Sequence, residues 1–194
     1  LQVQHAIDQI VDTGKKKILF DTGQTDKFLL NARTLGIDMG DIDYVVLSHG
    51  HYDHTGGLYA FLKVNRKALV ICKEEAFIPK FNAAGKFIGI PWQEEALKDR
   101  IRFINTVTEI IPDVFIFTNI PLHHLLDTHF ENLKTKKSDV LITDEMVDEL
   151  FIAIRHEDKI SIITACSHRG ISNICKTAND YFKKPIYSIT GGFH

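Results

Sequence analysis

Short apolar runs and stretches of helical spacing alternate along the chain, and that alternation sets the first expectation of its fold. Residues 17–20, 42–47, 68–72 and 185–190 are too short for helices and rich in β-branched or large apolar side chains, so they read as buried strands. Between them, residues 26–35 carry apolar positions at helical spacing, and Gly36 supplies the stop. Thr55, Gly56 and Gly57 open a second helix through residue 63, residues 73–77 start a third, and residues 171–182 have the period of a fourth. Residues 3–13 and 17–20, split by Thr13, Gly14 and Lys15, form a hairpin of two strands. Residues 101–104, 108–111 and 114–117 then read as strands of a second sheet, and 150–155 pairs with 159–164 around His156, Glu157 and Asp158.

Two segments break this rhythm. Residues 78–92 hold Phe81, Phe87 and Trp92 among Gly85, Gly89 and Pro91; a substrate lid and a peripheral hairpin over the core fit that composition equally well. Further on come His123, His124 and His129, with Lys134, Lys136 and Lys137 crowding behind them. No strand delivers these imidazoles to a point, so a solvated loop is expected there in preference to a metal site.

The chemistry concentrates elsewhere. Directly after the run 42–47 the chain reads Ser48-His49-Gly50-His51-Tyr52-Asp53-His54-Thr55-Gly56-Gly57-Leu58. Polar side chains placed immediately behind a buried strand crowd the loop at its carboxyl end, which is where α/β sheets hold ligands. Imidazole and carboxylate suit Zn²⁺, Fe and Mn²⁺, and no cysteine pair lies nearby to make a closed structural zinc site. His49 and His51, two positions apart in an extended loop, can face one ion; Asp53 and His54 are adjacent and serve a second ion or orient the attacking water. Glycines at 56 and 57 let the backbone come close to this loop. Two more strand ends repeat the pattern, with Cys166, Ser167 and His168 behind the strand 159–164 and Gly191, Gly192, Phe193 and His194 behind 185–190. A lone histidine at a strand end is more often a hydrogen-bonded core residue; three such ends favour a shared site.

The block His49-Gly50-His51-Tyr52-Asp53-His54 resembles the metal signature of the metallo-β-lactamase-fold superfamily, and Asp21-Thr22-Gly23 resembles its first motif. The resemblance implies that Asp21 supports the metal loop instead of binding metal. Cys166-Ser167-His168-Arg169-Gly170-Ile171 and Gly191-Gly192-Phe193-His194 are similar to blocks of one branch, that of the archaeal ribofuranosyl-aminobenzene phosphate synthases of methanopterin biosynthesis. The similarity runs from about residue 17 to the end. Strands followed by helices in two similar halves suit the α/β fold of that superfamily, a four-layer αβ/βα sandwich in one domain over residues 1–194, with metals at the sheet edge. In related proteins a further helix, strand and late histidine follow, so a chain starting without Met and stopping on His194 is expected to be incomplete. Two departures stand out: Leu122 occupies a place where relatives tend to have arginine, and the bridging aspartate of many relatives is missing, with Cys166 or Ser167 at the comparable strand end. Asp144 and Asp148 are acidic substitutes in principle, in a stretch expected to be a solvated helix or turn.

Composition narrows the setting. With 194 residues, 44% of them apolar, the chain has enough to build one substantial core. Its 23 basic and 25 acidic residues nearly cancel, which leaves no basic excess for bulk nucleic-acid binding. Cys72, Cys166 and Cys175 are odd in number and carry no Cys-x-x-Cys spacing, so a disulfide framework is not expected. No apolar run approaches the roughly 18 residues of a membrane span, and the start shows no signal pattern, so a cytoplasmic protein is expected. Oligomeric state leaves no mark in these residues.

The expected centre is dinuclear, with His49, His51 and His168 on one ion and Asp53, His54 and His194 on the other. It would supply hydroxide near neutral pH for attack on a small phosphoester or other ester-like substrate, with Asp53 also accepting a proton. The branch resemblance implies the competing synthase activity on phosphoribosyl pyrophosphate. A non-catalytic metal-binding protein is the third reading.

Overall fold

A computed structural model of the chain describes residues 9–194, so part of the expected first strand, residues 3–8, lies outside the described residues. The first half runs β1 (Gln9–Asp12), β2 (Lys17–Phe20), α1 (Lys27–Thr34), β3 (Tyr44–Val46), α2 (Tyr52–Thr55), α3 (Leu58–Val64), β4 (Leu69–Cys72), β5 (Lys80–Asn82), α4 (Glu94–Leu97) and β6 (Ile101–Phe103). The second half runs β7 (Thr108–Ile111), β8 (Val114–Phe117), β9 (Leu133–Lys137), β10 (Val140–Thr143), β11 (Phe151–Arg155), β12 (Ile160–Ile163), α5 (Ile171–Phe182) and β13 (Ile186–Thr190). Two sheets of five strands dominate, in the orders β1-β2-β3-β4-β6 and β13-β12-β11-β8-β7.

Alternation within the strands sorts their side chains into layers. In the first sheet Leu19, Val45, Leu47, Val70 and Cys72 pack outward against Phe28 and Ala32 of α1 and Leu58, Phe61 and Leu62 of α3. Their neighbours Ile18, Phe20, Val46 and Ile71 face inward and meet Val114, Ile116 and Ile152 of the second sheet. On that sheet's far side Phe115, Phe117, Phe151, Ile160 and Ile162 pack against Ile174 and Ala178 of α5. Helix, sheet, sheet, helix is therefore the order of layers, as the pattern along the chain implied.

Strand direction places the site. β2, β3, β4 and β6 are mutually parallel, so the residues after β2 and β3 emerge at one edge. β12 is parallel to β13, so Cys166 to His168 and Gly191 to His194 emerge together as well.

Three expectations need correction, and one open alternative is decided. The run beginning at Ile101 belongs to the first sheet, where β6 extends β4 in parallel. Arg100 fixes that turn by donating to the backbone oxygens of Leu62, Asn65 and Ala68. Residues 73–77 make only a single 3₁₀ turn, Glu74–Phe77, because Pro79 holds Ile78 extended at φ −65° and ψ 133°. The aromatic segment is a hairpin: Phe81 bridges Phe87, Gly85 turns the chain at φ +75°, and β5 joins β9 and β10 in a third sheet. Finally, Asp144 and Asp148 are buried, not solvated, because the Lys80 ammonium lies between them at 2.7 and 2.9 Å.

Candidate metal centre

Each ligand loop starts where a parallel strand stops. After β3 the chain passes Leu47 and Ser48 and turns into α2, which places His49 and His51 on the extended stretch and Asp53 and His54 in the first helical turn. The candidate ligand atoms of His49, His51 and His168 lie within 4.8 Å of one another, and all three residues are buried. Ring centroids are 4.7 Å apart for His49 and His51, and 5.3 Å from each of these to His168. Three imidazoles from two sheets thus share one small volume.

Hydrogen bonds decide how these rings present themselves. The Ser48 hydroxyl donates to Asp21 Oδ2 at 2.7 Å, so towards His49 Nδ1, 2.8 Å away, it can only accept. That assigns the proton of His49 to Nδ1 and leaves Nε2 a lone pair, 3.1 Å from His51 Nδ1. His168 Nδ1 donates to the His129 carbonyl at 3.2 Å, which frees its Nε2 in the same way. His51 Nε2 is buried with no hydrogen-bond partner. An orphaned ring nitrogen among lone pairs is costly unless a cation completes it, so this donor set fits a metal ion. Burial, reinforced by the neighbouring histidines, lowers the pKa of His51 to about 2 and that of His168 to about 3, and pushes His49 well below its usual range. All three are therefore neutral, as ligation requires.

His54 is set differently. Its Nδ1 lies 2.7 Å from Asp21 Oδ2, and its Nε2 lies 3.0 Å from Cys166 Sγ and 3.8 Å from Asp53 Oδ2. Burial works hardest against a charge on this ring, but the Asp21 carboxylate and the Cys166 thiol together outweigh it and lift its pKa well above the ordinary value. The same field favours any cation at Nε2, a proton or a metal ion. Two further triads of potential ligands meet here, His49 with His54 and Cys166, and Cys166 with His168 and His194. His194 stacks on His168 at 4.5 Å between ring centroids. Asp53 stands outside all three triads, partly exposed on the rim of a cleft of about 440 Å³ that also borders His54, Cys166 and His194.

Of the residues singled out from the chain alone, the structure thus brings together His49, His51, His54, His168 and His194, with Asp53 at the margin. Asp21 binds the loop from behind, accepting from the Ser48 amide, the Ser48 hydroxyl and His54. Cys166 was noted only as the occupant of a strand end; its thiol in fact joins two triads. Position after β12, one residue before Ser167-His168, was the signal that could have found it. In the second histidine group, His123 and His124 are exposed and bonded through their amides to Asn173, while the ring of His129 lies 5.6 Å from that of His194. His129 therefore borders the centre, which the expectation of a wholly solvated loop did not anticipate.

Comparison with known proteins assigns the fold to a family. The family model of the metallo-beta-lactamase superfamily matches residues 10–142. The chain belongs to the metallo-beta-lactamase superfamily. An uncharacterized protein of Methanocaldococcus jannaschii is 32% identical to it, over 98% of this chain and 73% of the relative. From the same organism, 7,8-dihydropterin-6-methyl-4-(beta-D-ribofuranosyl)-aminobenzene-5'-phosphate synthase is 28% identical over 98% of this chain and 71% of the synthase. The crystal structure of Tm1679, a metal-dependent hydrolase of the beta-lactamase superfamily, superposes with a TM-score of 0.79 at 35% identity, over 91% of this chain and 66% of that one. This chain thus spans about two thirds of the length of that solved superfamily member. Among the described residues no helix is long and apolar enough to cross a membrane.

Proposed function

We propose that this chain is a metal-dependent hydrolase acting on a small phosphoester or other ester-like substrate. The observation that carries the reading is the convergence of neutral His49, His51 and His168, with the orphaned Nε2 of His51 among them, beside an open cleft. His49, His51 and His168 would hold a first divalent ion, and His54, Cys166 and His194 would offer donors to a second, with Asp53 at its margin. Zinc suits this set of nitrogen, sulfur and oxygen donors, and iron and manganese suit its imidazole and carboxylate members. When bound, such an ion acts as a Lewis acid and lowers the pKa of water from about 15.7 toward about 7.

The remaining work falls to the chain. Asp21 fixes the proton of His54 on Nδ1 and so turns its Nε2 toward the cleft. Asp53, on the rim of the cleft, would take a proton from the attacking water and pass it to the leaving group. Tyr52, Ile88, Leu133 and Phe193 give the cleft largely apolar walls, suited to a substrate that sets an ester core against a hydrophobic flank.

The likeness to the named synthase supports a second reading, transfer of an aryl group onto phosphoribosyl pyrophosphate. Elemental analysis of the purified protein, followed by phosphodiester, lactone and thioester substrates, separates the readings. A hydrolase contains metal, turns over at least one of these, and loses both metal and turnover in His51→Ala. A synthase turns over only when phosphoribosyl pyrophosphate and an arylamine acid are supplied together. Tight metal binding with no turnover in either assay would make it a non-catalytic binding protein.

A further inference from the structure

A short segment that does not itself line the cleft touches both ligand loops. Asp148, Glu149 and Leu150 precede β11 and are buried, at 0%, 1% and 0% exposure. Asp148 Oδ2 accepts the Gly50 amide at 2.7 Å, and the Leu150 amide donates to the Ser48 carbonyl at 2.9 Å. The loop that carries His49 and His51 is thereby held at two points. Glu149, between them in sequence, reaches the other loop: Oε1 accepts the His168 amide at 2.8 Å and Oε2 the Arg169 amide at 2.7 Å. Both oxygens are engaged, and both amides belong to the strand end that delivers His168.

Asp148 is fixed from behind as well. Its Oδ1 lies 2.9 Å from Lys80 Nζ, which also bonds Asp144 Oδ2 at 2.7 Å, while Asp144 Oδ1 accepts the Met146 amide at 2.9 Å. A buried charge cluster is a poor source of stability, since apolar groups of the same volume do as well or better. Its distinctive property is direction, because every carboxylate oxygen here has a defined donor.

We propose that Asp148 and Glu149 are positioning residues of the metal centre, a two-armed clamp that sets the spacing of His49 and His51 against His168 before an ion arrives. This inference rests on the reading of those three imidazoles as ligands of one ion. Neither carboxylate need touch metal or substrate; each acts through a backbone amide of a ligand loop.

Cobalt(II) is the probe, because its visible bands report ligand geometry independently of turnover. Glu149→Gln retains one acceptor oxygen for two amides and sets an N–H donor against the second. Asp148→Asn weakens the link between Gly50 and Lys80. Either change is expected to lower affinity for the first cobalt ion about 10- to 100-fold, the usual size of such supporting contacts, and to shift the bands. In the wild-type protein, the amides of Gly50, His168 and Arg169 are expected to be protected from hydrogen exchange before cobalt is added, with little further gain on binding. Unchanged affinity and spectrum in both variants would overturn the clamp, as would amides that exchange freely until cobalt arrives. Should neither variant fold, the wild-type exchange experiment decides alone. Wild-type protein that takes up no cobalt overturns the ligand reading and the clamp with it, whereas normal uptake with indifferent variants overturns the clamp alone.

Discussion

Asp21 shows how much one side chain can organise. It is fully buried, sits at φ +64°, and accepts three hydrogen bonds of 2.7 Å, from the Ser48 amide, the Ser48 hydroxyl and His54. Asp21→Ala would leave those donors unsatisfied and break a buried charged pair, at a cost of about 3–5 kcal/mol, readable as a lower urea midpoint in the metal-free protein. Asp21→Asn tests the charge separately, since the amide keeps the shape and can still accept from Ser48. With the carboxylate gone, burial is opposed only by the Cys166 thiol, so the pKa of His54 is expected to fall from its raised value. Following the ring protons of His54 by NMR across that range decides the point; a ring that still titrates high would assign its charge to some partner other than Asp21.

At the scale of elements, the ligand loop is pressed against the turn after β4. A Cβ on Gly50 would overlap the Ala76 carbonyl oxygen and meet Lys80 Cε at 3.0 Å, so space requires glycine there. Gly50→Ala should therefore push His49 and His51 out of register, costing about 1–3 kcal/mol in the urea midpoint and lowering metal content by elemental analysis. The strands behind this loop were legible because apolar alternation and a histidine at the strand end are both local properties. Burial of Asp144 and Asp148 was not, since it depends on Lys80, 64 and 68 positions away, and acidic residues near a turn read as solvated when the partner is out of view. The hairpin of β9 and β10 escaped for a related reason: Leu133-Lys134-Thr135-Lys136-Lys137 lacks an apolar face, and its pairing with β5 is a long-range contact. Likewise β6 reads as a strand from its own residues, but its choice of sheet is made by Arg100 and the edge of β4.

For the whole molecule, the stacking of two sheets has an electrostatic consequence, because closing them gathers histidines that must remain uncharged. In the unfolded chain each imidazole takes up a proton near pH 6.5, whereas in the native metal-free protein His168 resists until about 3, His51 until about 2, and His49 also lies well below 6.5. Between those limits the unfolded state binds more protons, so stability rises with pH across the window. The contribution is complete above about pH 6.5 and is lost as pH falls through that value toward about 3. His54 has the opposite sign: its raised pKa stabilises the fold below about 6.5, and that gain fades only as pH climbs through the native value. Urea midpoints of the metal-free protein should therefore fall steeply from about pH 6.5 to about pH 4, with a limiting slope of about 1.4 kcal/mol per pH unit for each neutral histidine. Replacing His168 with a neutral residue of similar size, as in His168→Gln, should flatten the slope by about one such increment. A midpoint that stays level over the same range would show that these imidazoles reach water freely, and the pairing of the two sheets around them would lose its explanation.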